Sequence, residues 1–397
     1  MIKKQIRDKI GISRFRQQLV CNSDIVLDDT SWTSLGRPLH LHLVVSNREP
    51  TSEHQAVMLQ AAVNGDLRVM LPAVENGQDP DSLDRFGRSA AWHAAAAGHL
   101  HVLDVLYDAC ANIDLGDNRD ETPLHSASMA GHSNVVEFLL SKRAGIERKS
   151  QDGRSALYFS VQHQQLGVVD CLVRCAANVD TRRDLERTAL MCAVEAGRLD
   201  IANVLLAGDA DPHLLFSGWT ALSFAAQRGH LEIVRRLLDC RVSPDAGTND
   251  RWSPLFLAVS TGHSDVAALL IERSANTDRQ DDDGWTPLLL AAGEGECQLV
   301  ELLVKARANP HHVSQGGVTP TLLAMERGHS RVRRFLADVT LPREGDLSMV
   351  LEPKDDRNQN DSSSSDCSDC SACSEASETK YALPQLTDFT DFLLCQL

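Results

Sequence analysis

Apolar and polar positions along this chain recur as a block. Between Glu53 and Ala337, a short run of small and apolar residues leads to a Gly and then to a longer apolar run. In the block that opens at Thr122, the first run is Leu124-His125-Ser126-Ala127-Ser128, the Gly is Gly131, and the second run is Val135-Val136-Glu137-Phe138-Leu139-Leu140. Apolar residues three and four apart predict an amphipathic helix for each run. A Ser or Thr opens each block, at Ser89, Thr122, Ser155, Thr188, Thr220, Ser253, Thr286 and Thr319, at intervals of 33 residues except for 32 between Thr188 and Thr220. A ninth, degenerate block precedes them, since Ala61-Ala62-Val63-Asn64-Gly65-Asp66 lies 33 residues before Ala94 to His99. A fixed period of this length predicts stacked helical pairs, none able to bury its apolar face alone.

The block carries its own punctuation. The anchor Ser or Thr can accept an orphan backbone N–H and cap the inner helix. Pro123, Pro254, Pro287 and Pro320 follow such anchors, in the first turn, where no N–H is required. Gly98, Gly131, Gly197, Gly229, Gly262, Gly295 and Gly328 fall where the two helices join and predict left-handed turns. Gln164 takes that place in one block, which marks the unit from Ser155 to Ala177 as the least regular and a soft joint.

Glu121-Thr122-Pro123-Leu124-His125, with Gly131-His132 and the run to Leu140, resembles the ankyrin repeat at that family's own period. Parts of the signature return in Trp219-Thr220-Ala221-Leu222 with Gly229-His230, in Ser253-Pro254-Leu255 with Gly262-His263, and in Trp285-Thr286-Pro287-Leu288. The resemblance implies an all-α ankyrin-repeat solenoid of about nine units over residues 53–340. Because ankyrin arrays are binding modules, it also implies a non-enzymatic scaffold for one or more protein partners.

Two surfaces are candidates for that contact. Just before the anchors stand Arg88, Glu121, Arg154 and Arg187, then Trp219, Trp252 and Trp285, a series that turns from charged to aromatic and is flanked by Arg251 and Asp281-Asp282-Asp283. Placed at loop tips, Arg88, Arg154, Arg187, Trp219, Arg251, Trp252 and Trp285 are expected partner contacts, since Trp and Arg anchor interfaces. The competing reading makes the three tryptophans structural mortar between neighbouring turns. The second surface is the concave inner-helix row, Met129, Gln162, Glu195, Gln227, Arg228 and Glu326, whose mixed polarity suits a protein more than an apolar small molecule. His125 is the one signature histidine that survives. No nucleophile or carboxylate pattern accompanies it, so it reads as a satisfied structural residue. The array contains no Cys-x-x-Cys pair and no Gly-rich phosphate loop after a strand, so neither a metal nor a cofactor is expected there.

The flanks differ from the array. Ile2, Ile6 and Ile10 predict a short helix ended by Gly11, Gln17 to Cys21 and Leu39 to Val45 predict strands, and Asp28-Asp29-Thr30 a turn between them. Ile6, Asp8-Lys9, Gly11-Ile12, Gln17, Leu19-Val20, Leu27, Asp29 and Leu41-His42-Leu43-Val44 resemble ubiquitin from its helix to its last strand, so residues 1–48 are read as a truncated ubiquitin-like, partial β-grasp segment. The first hairpin and the terminal Gly-Gly are missing, so conjugation is not expected. The resemblance carries the receptor-binding apolar patch onto Val20 and Val44 and implies ubiquitin-receptor partners. The alternative function is therefore an adaptor that delivers a client to the ubiquitin and proteasome machinery.

Residues 341–397 lose the period. Arg357 to Lys380 is rich in Ser, Asp and Asn and predicts disorder. Ser362 to Ser365 could accept phosphate. Cys367, Cys370 and Cys373 offer three local ligands where structural zinc wants four, so no metal is expected. Leu386, Phe389, Phe392 and Leu393 would share a helix face, either as a docking motif or as a cover for the end of the array.

Charge and cysteine content narrow the setting. The net charge is −16, split as +4 over residues 1–48, −12 over the array and −8 over 341–397. An acidic body repels phosphate backbones, so nucleic acid is not an expected partner. No run of 18 apolar residues predicts a membrane span. Eleven cysteines, with Cys110, Cys171, Cys175, Cys192 and Cys240 assigned to apolar helix faces, and no signal peptide, imply reduced thiols and a cytoplasmic location, with the nucleus also open.

Overall fold

The computed structural model describes residues 17–21, 24–26 and 41–45 as backbone strands, and residues 52–340 apart from 77, 182–186 and 250. The chain divides into two units, Met1–Leu341 and Pro342–Leu397, and the second lies outside the described residues together with the expectations for phosphorylation, zinc and the end motif.

Near the amino terminus, β1 (Gln17–Cys21) pairs antiparallel with β2 (Asp24–Val26) and with β3 (Leu41–Val45), in the order β2-β1-β3. Val20 stands opposite Ile25 and His42, and Val44 opposite Gln18. The expected helix over residues 2–10, the turn at 28–30 and the side chains of the Val20/Val44 patch lie outside the described residues.

Nine helix pairs follow. They are α1 (Ser52–Asn64) with α2 (Leu67–Glu75), α3 (Ala90–Ala96) with α4 (Leu100–Asp108), and α5 (Pro123–Ala130) with α6 (Ser133–Ser141). Next come α7 (Ala156–Gln162) with α8 (Leu166–Arg174), α9 (Ala189–Glu195) with α10 (Leu199–Ala207), and α11 (Ala221–Arg228) with α12 (Leu231–Asp239). The last three are α13 (Pro254–Ser260) with α14 (Ser264–Glu272), α15 (Pro287–Glu294) with α16 (Cys297–Lys305), and α17 (Pro320–Glu326) with α18 (Ser330–Thr340). Inner helices pack on inner helices of the next unit and outer on outer, so the core is one continuous seam. Leu124, Val135, Val136 and Leu139 are fully buried, and their counterparts repeat along the chain. Each such side chain contributes about 1.5–3 kcal/mol of burial, which no isolated pair would realise.

Every expected anchor caps its inner helix from an extended backbone. Ser89 Oγ accepts from Trp92 N–H at 3.1 Å, and Thr319 Oγ1 from Leu322 N–H at 3.2 Å. Thr122 differs: its N–H donates to His125 Nδ1 at 3.1 Å, and its hydroxyl lies 2.9 Å from the same nitrogen. Between units, Asp81 accepts from Asn112 N–H at 2.7 Å, Asp114 from Gly145 N–H at 2.9 Å and Asp278 from Asn309 N–H at 2.8 Å. These charge-assisted bonds stitch each return loop to the next.

The helix-joining glycines are left-handed as expected, and one of them shows why Gly is needed twice over. Gly98 has φ 77°, and a Cβ there would sit 2.7 Å from the His132 ring, whose Nε2–H donates to Ala96 O at 3.1 Å. The irregular unit breaks both halves of that pairing. Gln164 takes φ 58°, and the residue facing it from the next unit is Arg198, which donates from Nη1 to Gln164 Oε1 at 2.8 Å. A flexible Arg leaves room for the Cβ that a histidine ring would exclude.

Among the described residues a second left-handed series is filled without glycine. Cys110, Arg143, Ala176, Asp209, Arg241, Ser274 and Arg307 follow the outer helices with φ between 61° and 68°. The cysteine assignment needs correction here. Cys171 is buried, but Cys110, Cys192 and Cys240 are half-buried and Cys175 is exposed, because Cys110, Cys175 and Cys240 sit at helix ends, off the packed face. Among the described residues no helix is long and apolar enough to cross a membrane.

Candidate functional site

Where the hairpin before an anchor is described, the residue next to the anchor sits at its base, not at its tip. Asp84 N–H donates to Arg88 O, Ser150 N–H to Arg154 O, Thr248 N–H to Trp252 O and Asp281 N–H to Trp285 O, at 2.9–3.1 Å. Backbone pairing of this kind turns the side chain back onto the inner helices. Arg88 lies half-buried with its guanidinium 4.2 Å from the centre of a Trp92 ring, and Arg154 lies 5.6 Å from Tyr158. Trp219, Trp252 and Trp285 are 3%, 9% and 7% exposed. Trp252 stacks on Phe256 at 6.0 Å, and Trp219 lies 5.1 Å from Phe224. The partner contacts expected of these tryptophans are thus corrected: the rings are spent within the array, as structural mortar. Of the expected tip residues only Arg251 is exposed, and it pairs with Asp282 of the next hairpin at 3.4 Å.

The true tips lie two or three residues earlier. Arg85-Phe86, Asn118-Arg119, Gln151-Asp152 and Asp282-Asp283 are all exposed. Their signal in the sequence is the Gly two places before the anchor, at Gly87, Gly153, Gly218, Gly284 and Gly317, each with positive φ. Phe86 is 47% exposed and lies beneath Arg85 at 4.6 Å and beside Arg88 at 5.2 Å. Side chains hold the hairpins in shape: Asp281 Oδ1 accepts from Trp285 N–H at 2.7 Å and from Asp283 N–H at 3.0 Å. Burial raises the Asp281 pKa, helped by the neighbouring Asp283 and Asp282 and opposed by those two N–H groups.

The inner-helix row is more open. Gln162, Arg228 and Glu326 are exposed, and Met129, Glu195 and Gln227 are half-buried. The structure joins the two candidate surfaces at one point that the sequence does not connect. Glu195 on α9 accepts from Arg187 Nη1 through Oε2 and from Arg228 Nη2 through Oε1, the latter at 2.9 Å. Arg187 is also held by ring faces, 5.4 Å from Phe216 and 5.3 Å from Phe224. One carboxylate between two guanidiniums leaves a net positive patch. Arg228, nearly half exposed at its side chain, keeps N–H donors free in a fixed fork that suits a carboxylate or a backbone carbonyl. A similar cross-unit pair joins Arg327 Nη1 to Glu294 Oε1 at 3.5 Å.

His125 is fully buried, and its pKa falls to about 4. Loss of solvation is the main cause; the nearby backbone of Arg154 and Arg148 acts in the opposite direction. The structural reading needs one amendment, because Nε2 has no hydrogen-bond partner.

An array of capped helix pairs, stacked face to face and offering a polar inner row beside projecting hairpins, defines a repeat-type binding module. Residues 58–150, 143–216, 208–281 and 273–343 match the family described as ankyrin repeats (3 copies), and the chain belongs to that family. The match leaves residues 1–57 uncovered. A search of curated proteins finds no match to the chain.

Proposed function

We propose that this protein is a non-enzymatic scaffold that holds a protein partner on the inner-helix row and adjoining hairpins of its array. Ankyrin repeats are generally protein-interaction modules, and that membership is the first support. The observation that carries the reading is the cluster of Arg187, Glu195 and Arg228, where hairpin and inner helix meet and preorganised donors face outward. Gln162 and Gln227 extend that polar surface, Glu326 lies further along the row, and Phe86 adds an exposed aromatic at the first complete hairpin. Delivery of a client to the ubiquitin machinery has no supporting observation, since residues 1–48 fall outside the family match and the patch expected of Val20 and Val44 lies outside the described side chains.

The test is affinity capture with quantitative mass spectrometry. The full chain is compared with an Arg228→Glu/Gln162→Lys variant whose helix content is checked by circular dichroism. Partners retained by the wild type should be lost from the variant. A partner list unchanged by these substitutions refutes the assignment to this face.

A further inference from the structure

The last outer helix leaves a groove that the repeat pattern does not fill. Every outer helix from α2 to α16 packs against the outer helix of the following unit, whereas no described helix follows α18. Val332 and Leu336 of α18 are buried against the array, but Met325 on α17 is 53% exposed and Val339 is 42% exposed. A cavity of about 1070 Å³ opens between α16, α17 and α18. Its apolar floor is Val300, Met325 and Phe335, and its rim carries Arg331, Arg333 and Arg334.

The rim is unusual for this molecule. The array as a whole carries −12, yet three arginines fall within four residues, all exposed, and none makes an ion pair with a described residue. Two carboxylates also line the cavity. Glu301 lies 3.9 Å from Lys305, while Asp338 makes no ion pair with a described residue and offsets part of the arginine charge. An apolar trough beside a cationic rim is complementary to a helix with apolar side chains on one face and carboxylates along its edge.

We propose that this groove binds an acidic amphipathic helix of a partner protein. Its Leu or Phe side chains enter the trough between Val300, Met325 and Phe335, and its Asp or Glu side chains meet Arg331 and Arg334. The proposal rests on reading the chain as a protein-binding module, but it uses a surface separate from the inner-helix row.

The experiment is fluorescence anisotropy on the full chain with a labelled acidic peptide, Leu at helical positions i, i+3, i+4 and i+7 and Glu elsewhere. The same peptide with Lys for every Glu is the control. The acidic peptide should bind at least about tenfold more tightly than its Lys counterpart, more weakly as salt rises, and with at least about a tenfold loss in an Arg331→Glu/Arg334→Glu variant. Equal binding of the two peptides, no binding, or full affinity in the variant overturns the proposal. So does a dimer in sedimentation that dissolves in the same variant, which would make the occupant a second copy, and so does binding that emerges only after residues 341–397 are removed. Arg228→Glu separates the two readings, since it should abolish capture at the inner row and leave peptide binding unchanged.

Discussion

Acidification should loosen the array at one histidine. His125 Nδ1 accepts the Thr122 N–H at 3.1 Å, so the ring is neutral with its proton on Nε2, inside a fully buried slot. Protonating Nδ1 would turn the acceptor into a second donor and break the cap while charging a buried ring. The folded pKa of about 4 lies below the ordinary 6.5, so the fold favours the neutral form. The contribution is complete above about pH 6.5, drains away as pH falls, and levels off below about pH 4. Linkage between these values removes about 2 kcal/mol by pH 5 and about 3 kcal/mol by pH 4. Long arrays do not unfold in one step, so a local probe is required. Hydrogen exchange at the amides of α5, converted to opening free energy at each pH, should show this slope in the wild type. It should be nearly absent in His125→Leu, since Leu289 and Leu322 fill the same slot in their own units. Equal slopes in the two proteins, or an imidazole that titrates by NMR at pH 6 or above, would refute the reasoning.

Other substitutions probe the turns and the hairpins. Gln164→Gly should stabilise the fourth unit by up to about 1 kcal/mol, less what the exposed Arg198 contact contributes, and a lower thermal midpoint would contradict it. Gly98→Ala should cost more than about 1 kcal/mol, because a positive φ and the His132 ring both oppose a Cβ; an unchanged urea midpoint would count against this packing. Asp281→Ala strands two backbone N–H groups and should cost about 1–3 kcal/mol, read through local exchange at Trp285 N–H. Trp252→Ala should cost about 3–5 kcal/mol if the ring is mortar, and near-wild-type stability in denaturant would restore it as a surface residue.

Much of the architecture could be read from periodicity. The 33-residue interval, the Ser or Thr anchors and the helix-joining glycines each state a local requirement of the backbone. Caps and left-handed turns depend on neighbours within a few residues, and all eight anchors and all seven glycines stand where that reasoning puts them. Gln164 also announced its irregularity, although not the reason that the chain tolerates it.

The surface was harder to read. Arg88, Arg154, Trp219, Trp252 and Trp285 look like tip residues when the anchor is taken as the start of the unit, yet the hairpin pairs them at its base and folds their side chains inward. Only three-dimensional pairing tells the base of a four-residue turn from its apex. The meeting of Arg187, Glu195 and Arg228 likewise joins residues 8 and 33 positions apart, through the stacking of one unit on the next. The groove at α18 arises where that stacking stops among the described helices. Local chemistry in the chain decides which residues cap, turn and lie on an apolar face. Which of the remaining side chains reach solvent depends on what the neighbouring unit covers, and that is a property of the assembled stack.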